Sequence, residues 1–422
     1  MSLKLDQLKI FILLVLFWGG ISCTAQNESE IPENLNSVEN LTVIQPNSEP
    51  AFSIELIQEM VIDDSNAADT WFKDIASGAV PLTGVFWFAG LEVGDSGRIF
   101  VGNQPEKTIQ VFDSTGTHLT NIGNEGNGPG EFNSISDMNI QPNKIQVFDF
   151  IQFRSAFFSL DSFNLDEVKN VYLNRDPDVE ELSGWLGNGF MLIDDERFLV
   201  RYMSEFKNSN VGTEKYNLDK PRPSRYYIVD REGKIVSKML FELKDNKIIT
   251  ADVEGRHLRN WVPVPFLNQP LVSISDDGHI ASANSEESHV NLYTPNGDSL
   301  RTFYIPLEKK TLLRDELLSL YGEGDEENEN FLQHAELPEK WPALGDIVID
   351  DESRVWISTI PEDDNLTYKW WVLQDTGELL ATFSWPGNRS IEKIKDGYLY
   401  ARETEESTGM QTIVKYNIEM NE

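Results

Sequence analysis

Tight turns recur in pairs along this chain, and their constant spacing limits the folds that it can adopt. The turns are rich in Asp, Asn, Gly and Pro, and short β-branched or aromatic strands lie between them. In three copies the paired turns are 19 residues apart. The marker residues of these copies are Gly97 and Gly116, Asn143 and Ser162, and Gly278 and Gly297. A unit of four strands with two tight turns is typical of a β-propeller blade.

Less regular copies bring the number of blades to six. Two of them begin at the acidic turns Asp194-Asp195-Glu196 and Asp350 to Ser353, and a sixth begins at Asp396-Gly397. The sixth copy lacks a fourth strand, whereas Phe52 to Val61 is a β-compatible segment without a blade of its own. Pairing this segment with Thr412 to Ile418 would close the ring and remove exposed strand edges.

The sequence therefore predicts an all-β fold, a six-bladed β-propeller over residues 51–422 that is closed by an N-terminal strand. An irregular pair of β-sandwiches is the alternative interpretation. Within Pro306 to Pro342 a near-helical spacing of leucines predicts a short helical insertion. The acidic run from Asp325 to Glu329 is interpreted as a solvated loop.

The first blade carries a motif that resembles a known family. Its residues are Val111-Phe112-Asp113, Gly116, Ile122-Gly123, Gly126 and Gly128-Pro129-Gly130-Glu131-Phe132. This run resembles the motif of bacterial six-bladed β-propeller lipoproteins, which are similar to NHL-repeat and TolB-like propellers. The resemblance extends over roughly residues 51–420, although only the first blade has the full motif. It implies a propeller fold and export, and it implies no catalytic residue.

The N-terminal residues predict export. Lys4 and Lys9 precede an apolar stretch that is too short to span a bilayer and is typical of a secretory signal. Gly20, Ile21, Ser22 and Cys23 follow and resemble the lipobox of bacterial lipoproteins, in which the cysteine is lipidated. This resemblance implies a signal peptide over residues 1–22 and a lipid anchor on Cys23. An ordinary signal peptide with an incidental cysteine is the alternative.

The segment after the cysteine, residues 23–50, is rich in Asn, Ser, Glu and Pro and is predicted to be a flexible tether. Thr24 stands where some Gram-negative lipoproteins carry the Asp that retains them at the inner membrane. We therefore expect an exported protein anchored to the outer membrane, on its periplasmic or its surface face.

The charge of the chain restricts its partners. The sequence has 35 Lys and Arg against 70 Asp and Glu, which gives a formal net charge of −35. Nucleic acids are excluded as expected partners because their binding depends on cationic contacts to phosphate. The hydrophobic content of 40% is enough for a packed core, so the acidic residues are expected at a solvated surface.

The positions of the longer loops predict where a ligand would bind. In a propeller blade the turns between the first and second and between the third and fourth strands lie on one rim, which we call the turn rim. The other connections lie on the opposite rim, the loop rim. The four long connections, Gly123 to Asn133, Met203 to Ser224, Leu243 to Pro265 and Pro306 to Pro342, all fall on the loop rim. Such loops favour a binding face, although they could equally serve only to cap the central channel.

Two groups of residues on this rim are candidate binding residues. The first is a basic and aromatic cluster in an otherwise acidic chain: Arg256, His257, Arg259 and Trp261. Such a cluster is suited to a carboxylate, a phosphate or a sugar ring. The second group is Arg154 and Glu131. The alternative for both groups is structural, with ion pairs, packing and hydrogen bonds that hold the loops.

The sequence contains no signature of catalysis. It lacks the H-E-x-x-H, G-x-S-x-G and Walker motifs, and its five histidines are scattered. No cofactor or metal site is predicted, because turn chemistry accounts for the recurring acidic pairs. The predicted function is a binding or scaffold lipoprotein that recognises a protein, peptide or glycan at the loop rim. The alternative is a hydrolase or lyase acting in the central channel, which would require converging His and acidic side chains or a metal there.

Overall fold

The computed structural model describes residues 31–63, 88–172, 179–204, 222–245, 247–259, 264–321, 326–360, 367–405 and 411–422. The chain divides into two compact units, Met1–Ser37 and Val38–Glu422. The described part of the first unit contains a short 3-10 turn at Glu33–Leu35. In the described residues, no helix has the length and apolar character needed to cross a membrane.

Six sheets, each with four strands from one blade, form the propeller in the described part of the second unit. Two strands precede the first blade: β1 (Leu41–Val43) and β2 (Ser53–Ile62). Blade 1 contains β3 (Phe88–Val93), β4 (Ile99–Asn103), β5 (Thr108–Phe112) and β6 (His118–Ile122). Blade 2 contains β7 (Asp137–Gln141), β8 (Lys144–Asp149), β9 (Arg154–Ser159) and β10 (Leu165–Asn170). Blade 3 contains β11 (Trp185–Leu192), β12 (Arg197–Ser204), β13 (Pro223–Asp230) and β14 (Phe241–Lys244).

A short hairpin of β15 (Thr250–Val253) and β16 (Arg256–Arg259) separates blade 3 from blade 4. Blade 4 contains β17 (Pro270–Ile274), β18 (Ile280–Asn284), β19 (His289–Tyr293) and β20 (Ser299–Tyr304). The helices α1 (Arg314–Tyr321) and α2 (Glu326–His334) follow. Blade 5 contains β21 (Leu344–Ile349), β22 (Val355–Thr359), β23 (Thr367–Leu373) and β24 (Leu379–Pro386). Blade 6 contains β25 (Arg389–Lys395), β26 (Tyr398–Thr404) and β27 (Gln411–Asn421), together with β2.

The glycines that mark the repeat explain why the turns could be recognised. Gly97, Gly116, Gly278 and Gly297 have φ angles of 73°, 84°, 85° and 82°. This left-handed region is sterically unfavourable for residues with a Cβ atom, so glycine is favoured there. The repeat in the sequence is therefore a repeat of backbone conformation.

The core lies between neighbouring blades. Every residue of β4, β18 and β22 is buried, because a second strand of a blade is covered on both faces by adjacent blades. Large side chains such as Trp356 and Trp371 fill these interfaces. This arrangement accounts for the short, continuous apolar runs in the sequence.

The predicted ring closure is confirmed. Strand β2 pairs antiparallel with β27, from Ser53 opposite Asn421 to Ile62 opposite Ile413. Met60 and Ile62 also pack into the hydrophobic cluster that contains Val93 of blade 1. The N-terminal strand thus completes blade 6 and joins it to blade 1.

The N-terminal part of the second unit differs from the predicted tether, which extends to residue 50. Strand β1 pairs in parallel with β20 as a fifth strand of blade 4. Ile44 is buried in the cluster shared by blades 4 and 5, and Ala51 and Phe52 donate backbone hydrogen bonds to Leu379 and Leu380. Residues 41–52 therefore run along the outer edges of blades 4 and 5, because β20 offers β1 a free strand edge and Ile44 is buried between the two blades.

The connections that precede and follow blade 4 form a small module. Apolar residues of the hairpin, of both helices and of the adjoining loops share one hydrophobic cluster, which includes Ala251, Val253, Leu317, Phe331, Leu332 and Trp341. The predicted helical insertion is confirmed as two helices. The predicted solvated loop is wrong for residues 326–329, which begin α2 because this helix buries Asn328, Phe331 and Leu332 on one face.

Candidate functional site

The innermost strands of the six blades surround the central channel. These strands are β3, β7, β11, β17, β21 and β25. Four of them contain a β-bulge, located between Phe88 and Leu91, Gly187 and Phe190, Leu344 and Ile347, and Ile391 and Lys393. A bulge interrupts the alternation of side chains and redirects them. The channel wall is therefore irregular along these four strands.

An ion-pair network spans the turn-rim end of the channel. Lys393 lies 2.9 Å from the Glu92 carboxylate and 2.5 Å from that of Asp276. Lys395 lies 2.8 Å from Asp276 and 3.2 Å from Asp95. Glu92 and Asp95 belong to blade 1, Asp276 to blade 4 and both lysines to blade 6. The network thus connects three blades across this end of the channel.

The charges in this network stabilise one another. Burial alone would raise the pKa of Asp276, but Lys393 and Lys395 hold it below its usual value. The pKa of Glu92 is raised because burial outweighs the effect of Lys393. At neutral pH, the Asp276 carboxylate is therefore ionised between the two lysines.

Two further acids lie beside the channel with raised pKa values. Burial raises the pKa of Asp137 to about 7, and the charge of Glu92 acts in the same direction. Its carboxylate accepts backbone hydrogen bonds from Leu192 at 2.7 Å and Met138 at 2.9 Å. Enclosure by protein likewise raises the pKa of Asp346 to about 7, with Glu392 adding to the effect. The Asp137 carboxyl group therefore titrates near neutral pH.

A cavity of about 500 Å³ lies between blades 2, 3 and 4. It is lined by Ser136, Phe148, Phe150, Gly189, Phe190, Met191, Arg201, Tyr226, Gln269, Pro270 and Val272. Ser136 directly precedes β7 and Pro270 begins β17, and innermost strands begin at the loop rim. The cavity therefore lies on the loop-rim side of the channel.

Arg201 is the charged group in the cavity wall. Its Nε donates a hydrogen bond to Ser224 Oγ at 3.0 Å, and its Nη2 forms an ion pair with Asp245. Its side chain lines the cavity and keeps 19% of its surface exposed. Burial raises the pKa of the neighbouring Tyr226 to about 12, so its hydroxyl stays protonated at neutral pH.

Arg154 and Glu131 lie in the connection between blades 1 and 2. Arg154 donates to the carbonyl oxygens of Asn127, Gly128 and Glu131 at 3.1, 2.5 and 2.5 Å. The Glu131 carboxylate accepts the backbone N–H of Gly128 at 2.6 Å. Both side chains are thus engaged in holding the glycine-rich loop, as the structural alternative predicts.

The basic cluster falls partly outside the described residues. Arg256, His257 and Arg259 lie on β16 of the hairpin module, and the Arg256 side chain is exposed. Trp261 and Cys23 lie outside the described residues. Arg256, His257 and Arg259 thus share one strand, and a role of the cluster in binding stays a prediction.

The cavity and the ion-pair network were not predicted from the sequence. A weak signal existed for the network, because Glu92 and Lys393 each stand three residues before the Asp of the first turn of their blades, Asp95 and Asp396. The recurring acidic pairs have structural partners: Asp194 and Asp350 each bind an arginine and backbone amides of their own turn. In the described part of the chain, no group of three or more His, Cys, Asp or Glu residues is arranged to hold a metal ion.

Solved structures align with the chain at low sequence identity and low TM-score. No curated protein matches its sequence. A protein from Bacteroides fragilis that is described as exported shares 13% identity and a TM-score of 0.44, with 90% of this chain and 99% of that chain covered. A member of the duf4221 family from Bacteroides vulgatus shares 10% identity and a TM-score of 0.46, with 87% and 99% covered. Residues 90–253 match the model of a family described as a 6-bladed beta-propeller, and by its fold this chain is a six-bladed β-propeller.

Proposed function

We propose that this protein is an exported, lipid-anchored binding protein whose ligand enters the central channel from the loop rim. The observation that carries the proposal is the difference between the two ends of the channel. The ion pairs of Asp276 with Lys393 and Lys395 span the turn-rim end. A cavity of about 500 Å³ lies at the loop-rim side, which is within the usual size of small-ligand sites.

The position of the hairpin module also favours the loop-rim side of the channel as the binding end. Its hairpin belongs to the connection that ends at Gln269, and Gln269 lines the cavity. Lys247 donates its backbone N–H to the carbonyl oxygen of Asn268, which fixes the start of that connection to its end. A module with its own core can hold such a cavity wall in place.

Binding at the loop rim can be tested by thermal stabilisation followed by hydrogen exchange. Libraries of peptides, glycans and small metabolites would be screened for compounds that raise the melting temperature of the propeller. With a stabilising compound, we expect slower amide exchange at residues 189–191 and 269–272. Protection confined to the turns at residues 94–98 and 275–279 would contradict the proposal.

The membrane anchor has a separate test. The full chain and its Cys23→Ala variant would be expressed in a bacterium with lipoprotein export and labelled with a radioactive fatty acid. We expect labelling and membrane association of the full chain, and loss of both in the variant. A variant that still incorporates the fatty acid would overturn the assignment of Cys23 as the anchor.

A further inference from the structure

We infer that the cavity on the loop-rim side of the channel binds a neutral saccharide of one or two sugar units. This inference rests on the proposed function, because it gives the chemical class of the ligand at the same site. It follows from the charge, the ring surfaces, the neutral polar groups and the size of the cavity.

The charge of the wall favours a neutral ligand. Arg201 is the charged residue of the wall, and its charge is already compensated by the ion pair with Asp245. A carboxylate ligand would compete with Asp245 for the guanidinium, and a cationic ligand would find no acidic side chain among the described wall residues. Separating a partly buried ion pair is costly because it leaves one charge without its partner. Hydroxyl groups can accept or donate hydrogen bonds at the pair without separating it.

Aromatic rings supply an apolar surface next to these polar groups. Phe150 and Phe190 line the cavity with ring centroids 5.3 Å apart, and Phe148 lies 6.2 Å from Phe190. Phe150 is partly exposed, whereas Phe148 and Phe190 are buried behind it. The C–H face of a pyranose ring packs well on such a surface, because the aromatic face is apolar and carries negative charge density.

Neutral polar groups complete the wall. Among the described residues, nothing hydrogen-bonds to the side-chain amide of Gln269, which offers both a donor and an acceptor. Gly189 lies in the bulge of β11, where the regular strand register is interrupted. Sugars present hydroxyl groups that act as donors and acceptors, so they suit an amide and an irregular backbone.

The size of the cavity favours a saccharide over a protein partner. A volume of about 500 Å³ is small-molecule size, whereas stable protein interfaces bury roughly 800 Å² on each partner. A short peptide of matching size is the main competitor. It would bring charged termini to a wall whose only described charges are already paired.

The test uses the intact propeller and defined probes in isothermal titration calorimetry. The probes are glucose, maltose, cellobiose and N,N′-diacetylchitobiose, with digalacturonic acid and the dipeptide Phe-Ala as competitors of other classes. We expect at least one neutral sugar to bind, and neither the acidic sugar nor the dipeptide. Phe150→Ala should weaken that binding by about tenfold because it removes the exposed ring.

Two further variants make the test specific. Gln269→Ala should weaken sugar binding by about fivefold, the loss expected for one hydrogen bond. Tyr172→Ala removes an exposed aromatic ring outside the cavity wall and should leave affinity unchanged. Circular dichroism of each variant checks that the fold is retained.

The outcomes distinguish this inference from the proposed function. Binding of Phe-Ala or digalacturonic acid without any neutral sugar would overturn the saccharide inference and leave a binding function at the loop rim. Sugar binding that is insensitive to Phe150→Ala and Gln269→Ala would overturn the site. If none of the six probes binds at 10 mM, the saccharide inference is rejected, whereas the proposed function is judged by the wider library and its exchange pattern.

Discussion

At the scale of single residues, the glycine-rich connection between blades 1 and 2 depends on close contacts. Gly123 has a φ of 81°, and a Cβ at this position would overlap the ring of Phe132, which is buried. A Cβ at Gly126 or at Gly128 would likewise overlap the side chain of Glu131. The glycines of the motif that resembles the lipoprotein family are thus required by close packing in a short connection between two blades.

Replacing Gly123 tests this explanation. Gly123→Ala should lower the free energy of unfolding by about 3 kcal/mol, because the left-handed backbone and the overlap with Phe132 both oppose a methyl group. Gly184 also has a positive φ, of 76°, but nothing lies within 4 Å of its would-be Cβ. Gly184→Ala is therefore the matched control, with an expected loss of about 1 kcal/mol in urea unfolding. Equal losses for both variants would contradict the role of Phe132.

Asp137 makes stability depend on pH. Its pKa is about 7 in the folded protein and near 3.8 without burial, so the folded state binds more protons between these values. Stability contributed by this group is therefore greatest at low pH and falls as the pH rises from about 4 to 7. Asp137→Asn should remove this fall, so its melting temperature relative to wild type should be higher at pH 8 than at pH 5. Asp161→Asn, in an exposed turn, is the control, and the same difference at both pH values for Asp137→Asn would contradict the prediction.

At the scale of elements, the sequence predicted the blades well because each blade is bounded by turns with local requirements. The left-handed backbone conformation at Gly97 and Gly116 can be predicted from the local turn sequence alone. The channel could not be predicted in this way. Its network joins Glu92, Asp276 and Lys393, which are far apart in the sequence and meet only when the ring is closed. Helix α2 was not predicted for a related reason. Its first turn is acidic, which suggests a solvated segment, whereas one face of the helix is buried against the hairpin module.

The closing strand β2 offers a test at this scale. Ile62 is fully buried between blade 6 and blade 1, whereas Ile57 on the same strand is 39% exposed. Ile62→Ala should lower the free energy of unfolding by about 3 kcal/mol because it leaves a cavity at the junction. Ile57→Ala should lower it by less than about 1 kcal/mol. A small loss for Ile62→Ala in urea unfolding would mean that β2 contributes little to ring closure.

At the scale of the whole molecule, the ring is stabilised in two places. On the outside, β2 completes blade 6 and β1 extends blade 4. On the inside, the ion-pair network joins blades 1, 4 and 6 across the turn-rim end of the channel. The loop-rim side keeps its cavity between blades 2, 3 and 4. This division separates the end of the channel that supports the ring from the end that we propose for binding.

Removing Lys393 tests whether the network supports the ring. Lys393→Met should lower the free energy of unfolding by about 3 kcal/mol, because Glu92 loses its ion pair and Asp276 keeps only Lys395. Adding Glu92→Gln to this variant should restore part of the loss, since it removes the charge that was left unpaired. Lys247→Met removes a more exposed ion pair with Glu286 and should cost less than about 1 kcal/mol in the same urea unfolding measurement. If Lys393→Met is as stable as wild type, or if Glu92→Gln makes the double variant weaker still, the network does not hold the three blades together.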